Sequence, residues 1–190
     1  MDIVITGQVS IKTADTAGIL SGLGPRIKPV RFVHDLERIV VAAAGGALDC
    51  AGIDFPVAHS GIGLYIGVDD AVEDVKDEYF RGIMRDGIWG ASPLLFPFTS
   101  PNALAAQISI VFDIRGESST MHIKDSCRDV IEYAVECIAY GYTSMAVAGG
   151  IFRSGGNGYA AQFIFLEEAR SAMKRGAPMQ RPLKDFINDI

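Results

Sequence analysis

The sequence predicts a layered α/β domain built on one mixed sheet of five strands, with helices on both faces. Three observations carry that reading. Short apolar runs of strand length recur at residues 3–6, 63–68, 118–123, 145–148 and 160–166. Segments with helical spacing stand between them, at 35–52, 72–84 and 126–141. The composition, 49% hydrophobic and 21% charged over 190 residues, suits one well-buried domain rather than a disordered chain.

A net charge of −6 argues against general nucleic-acid binding. Three cysteines with no CxxC pair fit a reducing compartment and neither a disulfide framework nor a structural zinc site. No apolar run is long enough to span a bilayer, and the N-terminus lacks the basic start and apolar core of a signal peptide. The expectation is a cytoplasmic domain with no metal and no cofactor. Gly18, Gly22 and Gly24 do not make a dinucleotide fingerprint, because no strand feeds into a helix across them.

In chain order, a strand over 3–6 is broken by Gly7, and the Gly-rich residues 11–29 read as irregular. The helix over 35–52 begins at His34 or Asp35, with Glu37 favouring its first turn. Its run 39–44 is apolar all round, so burial on most sides is expected. Gly45 and Gly46 each weaken it by roughly 1 kcal/mol relative to alanine, and point to close approach by another backbone. Cys50 reads as a core residue. The strand at 63–68 ends on Asp69 and Asp70. Paired carboxylates suit a metal or acid–base chemistry, and the plainer reading is that Asp69 caps the helix over 72–84. Ser100 as cap and Pro101 in the first turn start another helix, with Asn102 fixing the turn by local hydrogen bonding.

Ser126 caps the next helix, with Asp129 as its capping-box partner, and Cys127, Val130, Ala134, Cys137 and Gly141 form its apolar stripe. A buried strand at 145–148 stops at Gly149 and Gly150. The strand 160–166 leads into a helix over 167–175, acids in front and bases behind, as the helix dipole favours. Residues 179–190 read as a tail with a short amphipathic end, leaving 1–178 as the domain.

Several of these segments share an order and spacing with one known family. They are the DIVITG opening, the ALDCAG helix end, and the stretch with Ser92, Pro93, Phe96, Pro97, Pro101, Asn102 and Ala105. The AGG strand at 148–150 follows, then an ending with Gly156, Gly158, Leu166, Glu167, Glu168, Ala169, Ala172, Lys174, Arg175 and Gly176. Together, from residue 2 to 178, they resemble the N-terminal half of β-ketoacyl-acyl-carrier-protein synthases. The resemblance implies half of a thiolase-like fold.

In that family the active cysteine stands at the strand-to-helix turn, where helix N–H groups favour a thiolate. Here the spacing lands on Lys124 or Asp125, and Cys127 stands two or three positions later. Asp125 would raise the pKa of Cys127 by like-charge repulsion. The family's histidines come from its C-terminal half, which the resemblance does not reach. His34, His59 and His122 read as structural or solvated.

The implied function is a ketosynthase-like, non-condensing partner subunit, or an acyl- or carrier-protein-binding protein, of fatty-acid or polyketide-type biosynthesis. Chain-length partners that lack the cysteine act this way. The alternative is a reduced synthase or acyltransferase with Cys127 as nucleophile, Lys124 and Asp125 being the other candidates. Phe96, Phe98 and Asn102 would wall an acyl cavity. Ser118, Ser119, Thr120, Met121, His122 and Ile123 would pair antiparallel across a two-fold axis, with a second copy or a full-length ketosynthase. Acyl carrier protein or acyl-CoA would be further partners. Since the family's C-terminal half packs on helices equivalent to 39–48 and 130–138, uncovered apolar surface is expected on both.

Overall fold

The computed structural model describes residues 2–32, 34–57, 61–124, 126–155, 158–178 and 181–187. Its sheet has strands β1 (Ile3–Lys12), β2 (Ile62–Val68), β3 (Ser118–His122), β4 (Met145–Ser154), β5 (Gly158–Glu168) and β6 (Arg181–Pro182). Their order is β3-β2-β4-β5-β1-β6. β2 runs parallel to both β3 and β4, while β4–β5, β5–β1 and β1–β6 are antiparallel. The sheet is mixed, as expected, but has six strands rather than five. The sixth comes from residues read as a tail, because Arg181 and Pro182 pair with Ile5 and Val4.

Helices α1 (Thr16–Leu23), α2 (Asp35–Cys50), α3 (Glu73–Asp86) and α4 (Asn102–Phe112) cover one face. Helices α5 (Arg128–Ala139) and α7 (Leu183–Ile187) cover the other, and α6 (Ala169–Arg175) follows β5. The alternation of a strand divides β2 between the two cores. Leu64, Ile66 and Val68 enter the first, and Tyr65 enters the second.

The expected burial and start of α2 are found, while the readings of Gly45, Gly46 and Cys50 are corrected. Its run from Ile39 to Ala44 is fully buried. His34 is the N-cap: its Nδ1 accepts from Leu36 N at 3.1 Å, and the His34 backbone N–H donates to Glu37 Oε1 at 2.9 Å. Gly45 is crowded by side chains rather than by a backbone, since a Cβ there would lie 2.5 Å from Phe112 and 2.6 Å from Leu23. Cys50, read as core, is exposed at the last position of the helix.

Other elements differ from the reading. Residues 11–26, read as irregular, form regular elements, with β1 continuing to Lys12 and α1 following, Leu23 packed into the first core, while residues 27–29 lie outside any helix or strand. Helix α5 is regular from Arg128, and Ser126 caps its start as read from the sequence, the Ser126 hydroxyl oxygen accepting from Arg128 N at 3.0 Å. β4 does not stop at Gly149 and Gly150 but passes through both to Ser154. Those glycines mark close approach instead of an end. A Cβ on Gly150 would lie 2.8 Å from Cys127 Cβ, and one on Gly149 would lie 2.1 Å from the Gln162 carbonyl oxygen.

Residues 167 and 168 are strand, not the front of a helix. Glu167 is fully buried and bonded to Arg175, from Nη2 to Oε1 at 2.5 Å and from Nε to Oε2 at 3.0 Å. The Thr6 hydroxyl donates to Glu167 Oε1 at 2.6 Å, and Arg175 Nη1 donates to the Ala51 carbonyl at 2.7 Å. One ion pair thus ties β1, β5, α2 and α6 together.

Of the uncovered apolar surface expected on the two helices, residues 39–48 of α2 show none and α5 shows only Tyr133, 38% exposed. α2 is buried against α1, α4 and the sheet. The outward positions of α5 carry Asp129, Glu132 and Glu136, all exposed. Charged residues on that face keep most of it wet.

Candidate functional site

The three parallel strands β2, β3 and β4 deliver their C-terminal ends to one place, where open α/β sheets hold their ligands. A cleft of about 510 Å³ opens there, lined by Asp69, Asp70, His122, Ile123, Lys124, Phe152 and Arg153. Each lining residue follows from its element. Asp69 and Asp70 terminate β2, Phe152 and Arg153 lie on β4, and His122 closes β3. Ile123 continues the pairing, its N–H donating to the Val68 carbonyl at 3.1 Å, and its side chain is buried. Lys124, next in the chain, is exposed in the turn toward α5. Asp125 lies outside the described residues.

The two aspartates differ in role. Asp69 Oδ1 accepts from Ala71 N at 2.7 Å and caps the turn before α3, as the sequence suggested. Its Oδ2 accepts from Arg153 N at 2.7 Å, fastening the end of β2 to β4. The Arg153 guanidinium pairs with Asp74 on α3, and Tyr159 Oη donates to the other Asp74 oxygen at 3.2 Å. These bonds commit Asp69 and Arg153 to shaping the cleft. Asp70, His122 and Lys124 present exposed or half-exposed polar groups to it.

Cys127 is near this cleft in sequence but does not line it. It is 1% exposed, packs in the second core against Gly150, and its Sγ faces Gln162 Oε1 at 3.8 Å. Burial pushes the thiol pKa from 9.0 up to about 11, because a thiolate there would lose its hydration. The proton-linked stability has a definite sign. The folded state holds the proton more tightly than the unfolded one. Its contribution is therefore complete below pH 9 and is lost as pH rises through about 11. At pH 8, iodoacetamide should alkylate exposed Cys50 in the native protein and leave Cys127 and Cys137 unmodified until denaturant is added. Peptide mass mapping of the alkylated chain checks this, and a native Cys127 adduct formed as fast as that of Cys50 would contradict it.

Phe96, Phe98 and Asn102 are placed apart from that turn. Phe98 packs against the first core, on the sheet face opposite Cys127. Phe96 is largely exposed and touches Tyr79, with ring centroids 5.9 Å apart. Asn102 Oδ1 accepts from the Ser100 hydroxyl at 2.5 Å, the local bond expected at this helix start. Ser118 to His122 form the outer edge of the sheet, with Ser118 and His122 exposed. His34 is the cap of α2, and His59 lies outside the described residues. The Arg153–Asp74–Tyr159 cluster was not anticipated from the sequence. Its members are 79 and 85 residues apart, and no local spacing signals such a pairing.

The model of the β-ketoacyl synthase N-terminal domain matches residues 21–179. The chain belongs to the β-ketoacyl synthase family. The fold agrees with solved ketosynthases at low sequence identity. One is the ketosynthase of a type II polyketide synthase, solved with its acyl-carrier protein and bound to the hexaketide. It shows 20% identity and a TM-score of 0.69, over 93% of this chain and 65% of that one. The ishigamide ketosynthase/chain length factor shows 17% identity and a TM-score of 0.70, over 94% and 61%. A β-ketoacyl synthase from Burkholderia phymatum STM815 shows 17% identity and a TM-score of 0.65, over 94% and 62%.

The ketosynthase domain described here thus spans less than two thirds of the length of each of these three. A search of curated protein sequences gives no match. The sheet with helices on both faces is the N-terminal half of the thiolase-like fold. Within it the turn from β3 to α5 carries Lys124 in the cleft and Cys127 in the core. Among the described residues, no helix is long and apolar enough to cross a membrane.

Proposed function

We propose that this ketosynthase-family chain is a non-condensing partner subunit in fatty-acid or polyketide-type biosynthesis. One observation carries the proposal: at the strand-to-helix turn the cleft receives Lys124, while the nearby thiol, Cys127, is buried and protonated. Condensation needs a thiolate to carry an acyl group and donors to stabilise an enolate. A thiol that titrates at about 11 and is 1% exposed supplies no nucleophile at neutral pH. The cleft instead suits recognition of a polar group, through Lys124 and His122 beside Asp70.

The partner in this reading is a full-length ketosynthase, with acyl carrier protein or acyl-CoA as further ligands. Its docking element is β3, from Ser118 to His122, extended by Ile123. An unpaired strand edge offers a row of backbone N–H and C=O groups to another chain. Met121, half-buried on that edge, is the position where a charge would oppose pairing.

The test is release of carbon dioxide from malonyl-acyl carrier protein by the isolated chain. The expected result is none above background, with Cys127→Ala indistinguishable from wild type. Release that Cys127→Ala abolishes would reject the proposal and make Cys127 the nucleophile of a reduced synthase.

A further inference from the structure

Six large apolar side chains share one outer surface of the helical layer. Along α3 and the turn after it, Phe80, Met84, Ile88 and Trp89 are 59, 86, 76 and 93% exposed. Leu94 and Phe96 follow in the next loop, at 58 and 61%. Ring contacts join the two stretches: Tyr79 lies 5.8 Å from Phe80 and 5.9 Å from Phe96, centroid to centroid. Their backbones also meet, since a Cβ on Gly90 would lie 2.0 Å from the Gly82 carbonyl oxygen. The inner side of α3 already has its cover, since Val75 is fully buried in the first core. The outer surface is therefore additional, and exposed apolar area of this size marks a contact.

Shape and charge say what makes that contact. Exposure peaks on Met84 and Trp89, at the end of α3 and in the turn beyond it, so the surface projects as a knob. A protein partner must offer a pocket cut to such a projection, whereas a bilayer closes around it. The residue types suit a bilayer boundary. Tryptophan settles where head groups meet tails, and Phe, Leu, Ile and Met enter the tails. Charge divides along the helix. Glu73, Asp74, Asp77 and Glu78 stand in the first half of α3, with Lys76 paired to Glu73. Arg81 and Arg85 stand in the second half, beside the knob. Residues 80–96 hold two arginines and one aspartate, against a net charge of −6 for the whole chain. The apolar knob is thus the locally basic end of an acidic helix, which complements an anionic head-group layer.

We propose that this knob binds the surface of an anionic phospholipid bilayer. Met84, Ile88 and Trp89 enter the boundary between head groups and tails, and Phe80, Leu94 and Phe96 flank them. Arg81 and Arg85 reach lipid phosphates while their methylene stems stay on the apolar side. Existing bonds leave them able to do so. Arg81 Nε donates to the Asp77 carbonyl, not to a carboxylate. Arg85 Nε bonds to exposed Asp86, an exchangeable surface pair. Each guanidinium keeps further N–H donors. Insertion of this kind goes only about 5–10 Å deep and needs no spanning helix. The contact uses neither the cleft nor the β3 edge, so it stands independently of the partner reading above.

Trp89 is the chain's single tryptophan, so its emission reports this contact alone. The experiment titrates the full chain with vesicles of phosphatidylcholine and phosphatidylglycerol in equal parts, and with phosphatidylcholine vesicles. Co-sedimentation is measured alongside the fluorescence. The expected result is a shift of the emission to shorter wavelength with the mixed vesicles, and protein in the vesicle pellet. Binding to phosphatidylcholine alone should be weaker by roughly tenfold or more. Arg81→Glu with Arg85→Glu should weaken binding to the mixed vesicles by a similar factor. Met84→Asp and Trp89→Ala, followed by co-sedimentation, should each do so by loss of inserted apolar area. Tyr142→Asp, at an exposed aromatic residue away from the knob, should bind like wild type. All these sites are exposed, so circular dichroism should show every variant folded. A chain that neither shifts its emission nor pellets with the mixed vesicles overturns the proposal. So does equal binding to both vesicle types, or binding that Tyr142→Asp reduces as much as Met84→Asp. An emission shift that needs only a higher protein concentration, or only added acyl carrier protein, gives the knob a protein partner and overturns it as well.

Discussion

Glu167→Ala should destabilise the domain by about 3–5 kcal/mol, read as a shift of the urea unfolding midpoint with an unchanged slope. The carboxylate is fully buried, and it accepts two bonds from Arg175 and one from Thr6. Removing it leaves the Arg175 guanidinium without its counter-charge and the Thr6 hydroxyl without its acceptor. The cost is the desolvation penalty of the stranded groups, more than the net worth of the pair. The same argument gives the rest of the series. Glu167→Gln keeps the volume and an acceptor, and should lose less. Glu167→Ala with Arg175→Ala should lose clearly less than the sum of the two single changes, because each single change already breaks the shared network. A loss below about 1 kcal/mol for Glu167→Ala would mean that the pair is not formed in solution.

Phe186→Ala is expected to cost about 3–5 kcal/mol, the range for truncating a fully buried aromatic side chain. Its ring is fully buried in the second core and lies under the Arg181 guanidinium, 4.5 Å from the ring centroid. With Leu183 it seats α7 on the sheet face that α5 also covers. Thermal melting of Phe186→Ala, beside a chain stopped after Pro178, distinguishes two arrangements. If residues 181–187 are part of the folded core, both variants should melt well below wild type. If they are a passive tail, both should melt with it. Surface truncations away from core contacts change stability by only about 0.5 kcal/mol.

Much of the fold was legible in the sequence. Apolar runs of strand length located the main sheet strands, and the all-round apolar stretch of α2 announced its burial. The pair His34 and Glu37 marked the start of α2. Asp69 was correctly read as a cap. These signals are local: each depends on residues within about one turn or a few strand positions. The order of the motifs also pointed to the synthase family, and it placed Lys124 near the turn where the family carries its cysteine.

What the sequence determined by itself was the set of elements and the surface each one must bury. The tertiary structure alone decided which buried surfaces meet. Cys127 and Phe98 look equally available for one cavity in the sequence, yet they lie on opposite faces of the sheet. Gly149 and Gly150 read as a strand end, but β5 and α5 approach them so closely that a Cβ does not fit. Glu167 read as a dipole-favoured helix residue, and the register of β5 turned it inward toward Arg175 and Thr6. Residues 181–187 read as a tail because their few apolar side chains gain nothing until the second core exists to receive Phe186. The physical reason is common to all four. Burial and hydrogen bonding between distant segments depend on register and on face, and both are set only when the sheet assembles.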